Sequence, residues 1–308
     1  MKIVDCLENA VCQKGLCATI GNFDGVHIGH RALIERAKSA AKAQNLDLGL
    51  ITFWPHPRQV LASSSGHMPL STRKERANLL NSLKIPLIVE LPFTADFAAL
   101  SAEEFVMRHL MPAGLRHLVV GHDFSLGRGR EGNSEVLDQL AQSCGFTIER
   151  LAAVTVSDQP VSSSRLRHLL AEGKVQDAAL LLGRFYSVEG IVEKGLGRGH
   201  KLGFPTANLG QIHTLLPAQG AYATLAEING KRFKAMTNIG LNPTFNGQKQ
   251  TVESFLLDAS GDLYGQRMRL EFVRRLRPEQ KFHSPEALVQ QLGNDVIQAR
   301  KILETIPA

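Results

Sequence analysis

Cysteine is scarce and scattered in this 308-residue chain: Cys6, Cys12, Cys17 and Cys144 include no Cys-x-x-Cys pair and no accompanying histidine spacing. That excludes a zinc framework or a disulfide framework read from spacing, and the four thiols are expected to be reduced packing residues. Long hydrophobic runs are absent too. No stretch reaches the ~18 apolar residues of a membrane span, and the N-terminal segment lacks signal-peptide character, so a cytoplasmic protein with no membrane partner is expected. Neither sign of charge dominates, with 35 basic and 29 acidic residues giving a formal net charge of +6. A balance this mild suits polyphosphate substrates, permits weak salt-sensitive association with nucleic acid, and gives no reason to expect a specific nucleic-acid partner. With 44% hydrophobic and 21% charged residues the composition is that of an ordinary globular protein, long enough for two domains that each bury a core. The oligomeric state is left open.

What is present is concentrated in a few stretches. An apolar run, Leu16 to Ile20, leads into Gly21-Asn22-Phe23-Asp24-Gly25-Val26-His27-Ile28-Gly29-His30, and Leu33, Ile34, Ala37, Ala40 and Ala41 then recur at helical spacing from Arg31 to Gln44. This pattern predicts strand, glycine-rich loop, helix. The unpaired N–H groups and the dipole of a helix N-terminus make an anion site, and Gly21, Gly25 and Gly29 let a phosphate chain approach the backbone. His27 and His30, three residues apart, share a helix face and can stabilise charge on a reacting phosphorus or a departing pyrophosphate.

His27-Ile28-Gly29-His30 resembles the signature of the nucleotidylyltransferase superfamily, which shares its α/β fold with class I aminoacyl-tRNA synthetases. The longer string from Gly21 is similar to the opening of the bacterial bifunctional riboflavin kinase/FMN adenylyltransferases, or FAD synthetases.

Further along, Leu48 to Phe53 reads as a strand stopped by Trp54-Pro55-His56-Pro57, with His56 near the expected crevice at the strand's carboxyl end. Ser71 to Leu83 reads as a helix capped by Ser71, Leu87 to Glu90 as a strand, and Ser101 to Glu104 as a capping box that starts a helix to about Leu110. Leu118 to Val120 is a buried strand followed by a loop from Gly121 to Gly132 that is rich in glycine, arginine and acid. Asn133 to Ser143 is helical, and Phe146 to Val156 holds one or two strands. Then comes Val161-Ser162-Ser163-Ser164-Arg165-Leu166-Arg167, serines ahead of a helix with Arg167 placed to clamp phosphate. Alternating strands and helices predict a doubly wound parallel sheet. Leu166 to Leu182 reads as two short helices broken at Gly173, a linker that puts the domain boundary at 182/183.

From Arg184 the pattern becomes short strands: Tyr186 to Val192, Ala221 to Ile228, Lys231 to Ile239, Thr251 to Leu257 and Met268 to Val273. Asn229-Gly230 and Ser260-Gly261-Asp262 are hairpin signals, and the set predicts a small antiparallel β-barrel with a terminal helix from about Pro285 to Leu303. Between Gly195 and Asn208, Gly195, Gly197 and Gly203 alternate with basic residues in a loop that fits neither a Walker A nor a Rossmann pattern but makes a plausible polyphosphate cradle. Thr206 and Asn208 alternate on an extended segment, so both can face one Mg²⁺ carrying ATP phosphates. The dense basic run of Arg267, Arg269, Arg274, Arg275 and Arg277 reads as a solvated strand face.

This second block resembles the riboflavin kinase signature, with supporting matches at Asn238 to Phe245, Val252 to Asp258, Asp262 to Gly265 and Leu276 to Phe282. The resemblance implies an N-terminal domain, residues 1–182, that joins ATP and FMN into FAD, and a C-terminal domain, residues 183–308, that phosphorylates riboflavin with Mg²⁺ and ATP. It implies that His27, His30 and Arg167 stabilise the triphosphate, and that Gly21, Asn22, Phe23, Asp24, Gly29, Ser163 and Ser164 line the nucleotide site. It implies that Asp123, Phe124 and Pro57 hold flavin or adenine, and that Glu253 is the kinase base beside Thr206 and Asn208. Two positions depart from the family pattern: Ser164 stands where threonine is usual, and Phe255 where a histidine is common. Two rival readings are an adenylyltransferase for another phosphorylated cofactor and a catalytically silent flavin- or RNA-binding regulator.

Overall fold

The structure is a computed structural model that describes residues 2–7, 12–61, 67–195, 204–244, 247–258 and 261–306. Gly197, Gly203 and the basic residues between them lie outside the described residues, as does Ser260. The chain divides into two compact units, Met1–Ser162 and Ser163–Ala308.

In the first unit, β1 (Lys2–Val4), β2 (Leu16–Ile20), β3 (Asp47–Trp54), β4 (Leu87–Pro92), β5 (Leu115–Gly121) and β6 (Thr147–Leu151) form one sheet in the order β1-β4-β3-β2-β5-β6. Every pairing is parallel. Alternate residues of each strand serve opposite faces: Ala18, Ile20, Ile51, Val89, Leu118 and Val120 join one apolar cluster, while Cys17, Leu50, Ile88 and Val119 join another. Both faces are therefore covered, which explains why these strands read as continuous apolar runs. After β2 the chain builds outward through β3 and β4, then returns to place β5 on the other side of β2. The strand order thus reverses beside β2, and its carboxyl end opens into the crevice where α/β sheets bind ligands.

Helix α1 (Ile28–Ala43) packs Leu33, Ile34, Ala37, Ala40 and Ala41 onto the sheet and begins three residues before the expected Arg31. The histidines therefore sit in its cap and first turn. After β3, α2 (Pro57–Leu61) is a single short turn, followed by α3 (Arg73–Ser82). The cap of α3 is Thr72, in a reciprocal capping box with Glu75, and not Ser71 as the sequence suggests. Ser71 has another task, since its hydroxyl accepts the Gly25 N–H at 3.3 Å. Helices α4 (Ala95–Ala98) and α5 (Ala102–Phe105) follow β4; α5 starts with the expected Ser101/Glu104 capping box and runs on as a π-helical turn, Val106–Leu110. Helix α6 (Ser134–Cys144) is capped by Asn133, and a ribbon of β7 (Thr155–Val156) and β8 (Gln159–Pro160) completes the unit.

The second unit opens with α7 (Ser163–Ala171) and α8 (Val175–Leu182), broken at Gly173 as expected. Strands β9 (Tyr186–Glu193), β10 (Ala207–Gly210), β11 (Gly220–Ile228), β12 (Lys231–Thr244), β13 (Gly247–Leu256) and β14 (Arg267–Pro278) close into a barrel in the order β10-β13-β12-β11-β14-β9. Antiparallel pairing holds throughout. Strands β12 and β14 run past the apolar stretches that announced them, because closure of a barrel pairs backbone whatever the side chains are. Helix α9 (Pro285–Leu303) lays Ala299 and Leu303 against Ala223, Leu225, Met236 and Val273, covering one face. Buried Thr224, Thr237 and Ser254, on the alternate positions, satisfy one another through hydroxyl contacts of 2.7 and 2.9 Å.

Candidate active sites

The Gly21 to His30 stretch leaves the carboxyl end of β2 and enters α1. Phe23 is fully buried, and its ring lies 5.2 Å from that of His30, so it packs against the histidine. Asp24 is also buried, at 3% exposure, and its Oδ1 accepts the N–H groups of Leu70 at 2.9 Å and Ser71 at 3.3 Å. Asn22 is held by its carbonyl, which accepts from Arg76 at 3.0 Å and from the Thr52 hydroxyl at 3.3 Å. The loop is thus preorganised by contacts from three neighbouring segments.

His27 caps α1: its Nδ1 accepts the His30 N–H at 3.2 Å. That bond places the neutral ring's proton on Nε2, making it a donor. A Cβ at Gly29 would lie 3.1 Å from His27 Nδ1, so glycine there lets the ring fold back over the helix end. The rings of His27 and His30 stack at 3.6 Å and 13°. Desolvation, and next the neighbouring His27, hold His30 well below the ordinary imidazole value. Its Nδ1 is buried with no hydrogen-bond partner among the described residues. A buried polar atom left unmatched at a helix N-terminus fits a site completed by an anionic ligand.

Of the other expected residues of the adenylyl site, Pro57 opens α2, Asp123 is exposed, and Phe124 is partly buried against the sheet's apolar cluster. Arg130 bridges the Asp123 loop, donating to the Ser125 hydroxyl at 2.7 Å and to the Asp123 carbonyl at 3.1 Å. Ser163, Ser164 and Arg167 occupy the first turns of α7 in the second unit.

In the barrel, strand register assembles one row from separate motifs. Glu253 on β13 stands opposite Asn208 on β10 and opposite Asn238 on β12; Asn208 in turn stands opposite Glu193 on β9. Residues directly opposite in an antiparallel ladder share a face with Cβ atoms about 4.5–5.5 Å apart, so Glu193, Asn208, Glu253 and Asn238 form a continuous polar belt. It shares its face with Met236 and Phe255, which pack into the cluster under α9. The Thr206 hydroxyl lies 3.5 Å from Glu253 Oε2. A Cβ at Gly195 would collide with the Asn208 side chain, so glycine permits that close approach. Threonine hydroxyl, asparagine carbonyl and carboxylate are hard oxygen donors of the kind Mg²⁺ takes. Glu279 brings a second carboxyl to Asn238; desolvation raises its proton affinity, and the Glu253 charge adds to the rise.

The family model for FAD synthetase matches residues 9–165 and that for riboflavin kinase matches residues 182–303. The bifunctional riboflavin kinase/FMN adenylyltransferase of Bacillus subtilis is 35% identical over 283 residues, covering 90% of this chain and 89% of the relative. The chain belongs to the bifunctional riboflavin kinase/FMN adenylyltransferase family. The Escherichia coli K12 member of that family is 32% identical over 308 residues, covering 98% of this chain and 97% of its own length. Among solved structures, a Streptococcus pneumoniae chain described as a macrolide-efflux protein matches with a TM-score of 0.87 at 28% identity, covering 97% of this chain and 98% of that one. No described helix here is long and apolar enough to cross a membrane.

Membership of this family sharpens two local features. Phe255 makes an edge contact with Phe204 at 5.5 Å, an apolar contact beside the Thr206 segment. Sequence reasoning missed Arg76, which is buried at 3% exposure and whose guanidinium donates to the Asn22 carbonyl at 3.0 Å, to the Phe53 carbonyl at 3.1 Å and to Glu90 at 2.7 Å. The signal was there: Arg76 begins an i, i+3, i+4, i+7 stripe with Leu79, Leu80 and Leu83, a place where an arginine is buried and must be paired. On β14 the basic run is in part a solvated face, with Arg267 and Arg274 exposed, and in part bonded. Arg267 pairs with Glu189, Arg275 donates to the carbonyls of Glu172 and Gln219, and Arg277 forks onto buried Asp295 of α9.

Proposed function

We propose that the chain makes FAD from riboflavin in two ATP-dependent steps, with residues 183–308 acting as the kinase and residues 1–182, including α7 and α8, as the adenylyltransferase. The observation that carries this reading is the presence, in one chain of this family, of the stacked His27/His30 pair at a helix N-terminus and of the Asn208–Glu253–Asn238 belt beside Thr206.

In the kinase step Glu253 accepts the proton of the ribityl 5′-hydroxyl as its oxygen attacks the γ-phosphorus of ATP, giving FMN and ADP. Thr206 and Asn208 hold the nucleotide and its Mg²⁺, with Gly195 as the start of the loop around the phosphates. When bound, Mg²⁺ neutralises charge on the transferring phosphoryl group. In the adenylyl step a phosphate oxygen of FMN attacks the α-phosphorus of a second ATP and pyrophosphate leaves. No covalent enzyme intermediate is required, so charge stabilisation and positioning supply the rate. His27 donates from Nε2, His30 stands stacked behind it, and Arg167 with Ser163 and Ser164 is assigned to the triphosphate by its motif. Asn22, Asp24 and Gly29 fix the loop, while Asp123, Phe124 and Pro57 are assigned to the flavin or adenine. The compartment of this reading is the cytoplasm.

The test is a time course with riboflavin, ATP and MgCl₂, separating flavins by chromatography. FMN appearing first and FAD following is the expected outcome. FMN without FAD would transfer the first unit to a different phosphorylated acceptor; neither product, even with FMN supplied, would favour a binding protein without turnover.

A further inference from the structure

A second cluster takes one residue of the adenylyl loop, Asp24, and adds two histidines that the two reactions leave unassigned. Asp24 follows β2, His56 follows β3, and His67 lies in the segment that leads to α3; one donor atom from each falls within 4.8 Å of the other two. Asp24 and His56 are buried, at 3% and 7% exposure, and His67 is partly buried. The rings of His56 and His67 are 4.6 Å apart and inclined at 34°.

We propose that Asp24, His56 and His67 form a binding site for a divalent transition-metal ion, of the class that takes two imidazoles and one carboxylate. Two nitrogen donors make Zn²⁺, Co²⁺ or Ni²⁺ the fitting occupant, whereas Mg²⁺ prefers an all-oxygen shell. Metal–ligand bonds near 2.0–2.2 Å put donors about 3–3.5 Å apart, so donors that already lie within 4.8 Å of one another need only a small side-chain adjustment on loading. The carboxylate is already oriented, because Asp24 Oδ1 accepts the Leu70 and Ser71 amides. His56 Nδ1 accepts the Arg58 N–H at 3.1 Å. Ligation through His56 Nε2 therefore moves the ring proton from Nε2 to Nδ1 and gives up the Arg58 contact. Three protein donors leave further coordination positions to water or an oxyanion. The ion would tie the segment at His67 to the loop at Asp24, a role separate from the Mg²⁺ assigned to the barrel and independent of which acceptor the first unit adenylylates.

The experiment titrates metal-stripped, tag-free full-length protein with Co²⁺ and follows visible d–d absorption, then displaces the ion with Zn²⁺. One equivalent of Co²⁺ is expected, displaced by Zn²⁺ and retained against a hundredfold excess of Mg²⁺. His67→Ala should weaken binding at least tenfold, and His67→Asp, which restores a donor, should recover part of it. X-ray absorption of the Zn²⁺-loaded protein should show two imidazoles in the first coordination sphere. No stoichiometric binding, or binding to His67→Ala with the wild-type spectrum and affinity, would overturn the assignment. Folding of each variant is read from circular dichroism, and if His67→Ala is unfolded the ligand count in the wild-type absorption spectrum decides alone, fewer than two imidazoles refuting the site.

Discussion

The two units build their sites in opposite ways. In the first, a single run of ten residues, Gly21 to His30, supplies the loop, the cap and both histidines, and neighbouring segments only hold it in place. In the second, Thr206 and Asn208 meet Glu253 from more than forty positions away, and the contact exists only because β10 and β13 pair in one register. A locally built site depends on helix capping and on desolvation of a few groups. A register-built site depends on the barrel closing correctly, and a one-residue slip would turn Glu253 to the opposite face.

The largest test of that contrast is Glu253→Gln. Loss of a general base lowers a rate by about 10²–10⁴, so FMN formation from riboflavin should fall by that factor while conversion of supplied FMN to FAD stays at the wild-type rate. Equal losses in both steps would remove the two-site assignment.

His30→Ala is the reciprocal variant. Removing the ring that backs the His27 donor is expected to cost up to about 10²–10³ in rate, the loss for a preorganised donor at a developing negative charge, here in FAD synthesis alone, with riboflavin phosphorylation untouched. The same residue has a pH signature. Desolvation and His27 keep its folded-state value below the ordinary 6.5, so the unfolded chain binds more protons in that window. Its contribution to stability is complete above about 6.5 and is lost progressively as pH falls from there through the folded-state value. A nucleoside triphosphate beside the ring reverses the bias, so ATP binding to this site should take up protons below neutral pH, measured calorimetrically in buffers of different ionisation enthalpy. His30→Ala should lose that uptake.

Gly195→Ala probes the other site with a smaller effect. The added Cβ collides with the Asn208 side chain, and overpacking of this kind costs about 1–3 kcal/mol, which corresponds to a loss of roughly 5- to 150-fold in kcat/KM for ATP in the kinase step. Unchanged kinetics would mean that Asn208 has room to move without consequence.

The same contrast governs what could be read from the chain. The first site was legible because its parts are contiguous: the strand, glycines, helix and histidines appear in one string, and only the helix start was misjudged, since Ile28 to His30 carry no apolar stripe. The capping residue of α3 was misread because Ser71 and Thr72 are chemically equivalent caps, and only the Gly25 contact, 46 positions away, decides between them. Five of the barrel's six strands were legible from alternation and from the Asn229-Gly230 turn, where both residues take positive φ; β10 read only as an extended segment. Glu193 was not, because its membership of the polar belt follows from the β9–β10 register, which no local pattern encodes. Arg76 could have been found from its place in a leucine stripe; its partners Asn22, Phe53 and Glu90 could not.

Thr72→Ala is the gentlest way to separate the two designs. The Thr72 hydroxyl accepts the Glu75 N–H at 3.2 Å and Glu75 returns a bond to the Thr72 N–H at 2.7 Å. Removing such a cap costs about 1 kcal/mol. Helix α3 carries Arg76, which fixes the Asn22 carbonyl, so a frayed first turn should loosen the adenylyl loop and lower FAD synthesis by at most about fivefold, the rate equivalent of that energy. The chain's one tryptophan, Trp54, ends β3 and lies 5.3 Å under the Arg76 guanidinium. Its fluorescence therefore reports unfolding of the first unit, and the midpoint in denaturant should move down in Thr72→Ala while riboflavin phosphorylation keeps its wild-type rate. If the kinase rate fell in step with the tryptophan transition, the barrel's site would depend on the same local cap, and the distinction between a loop-built and a register-built site would fail.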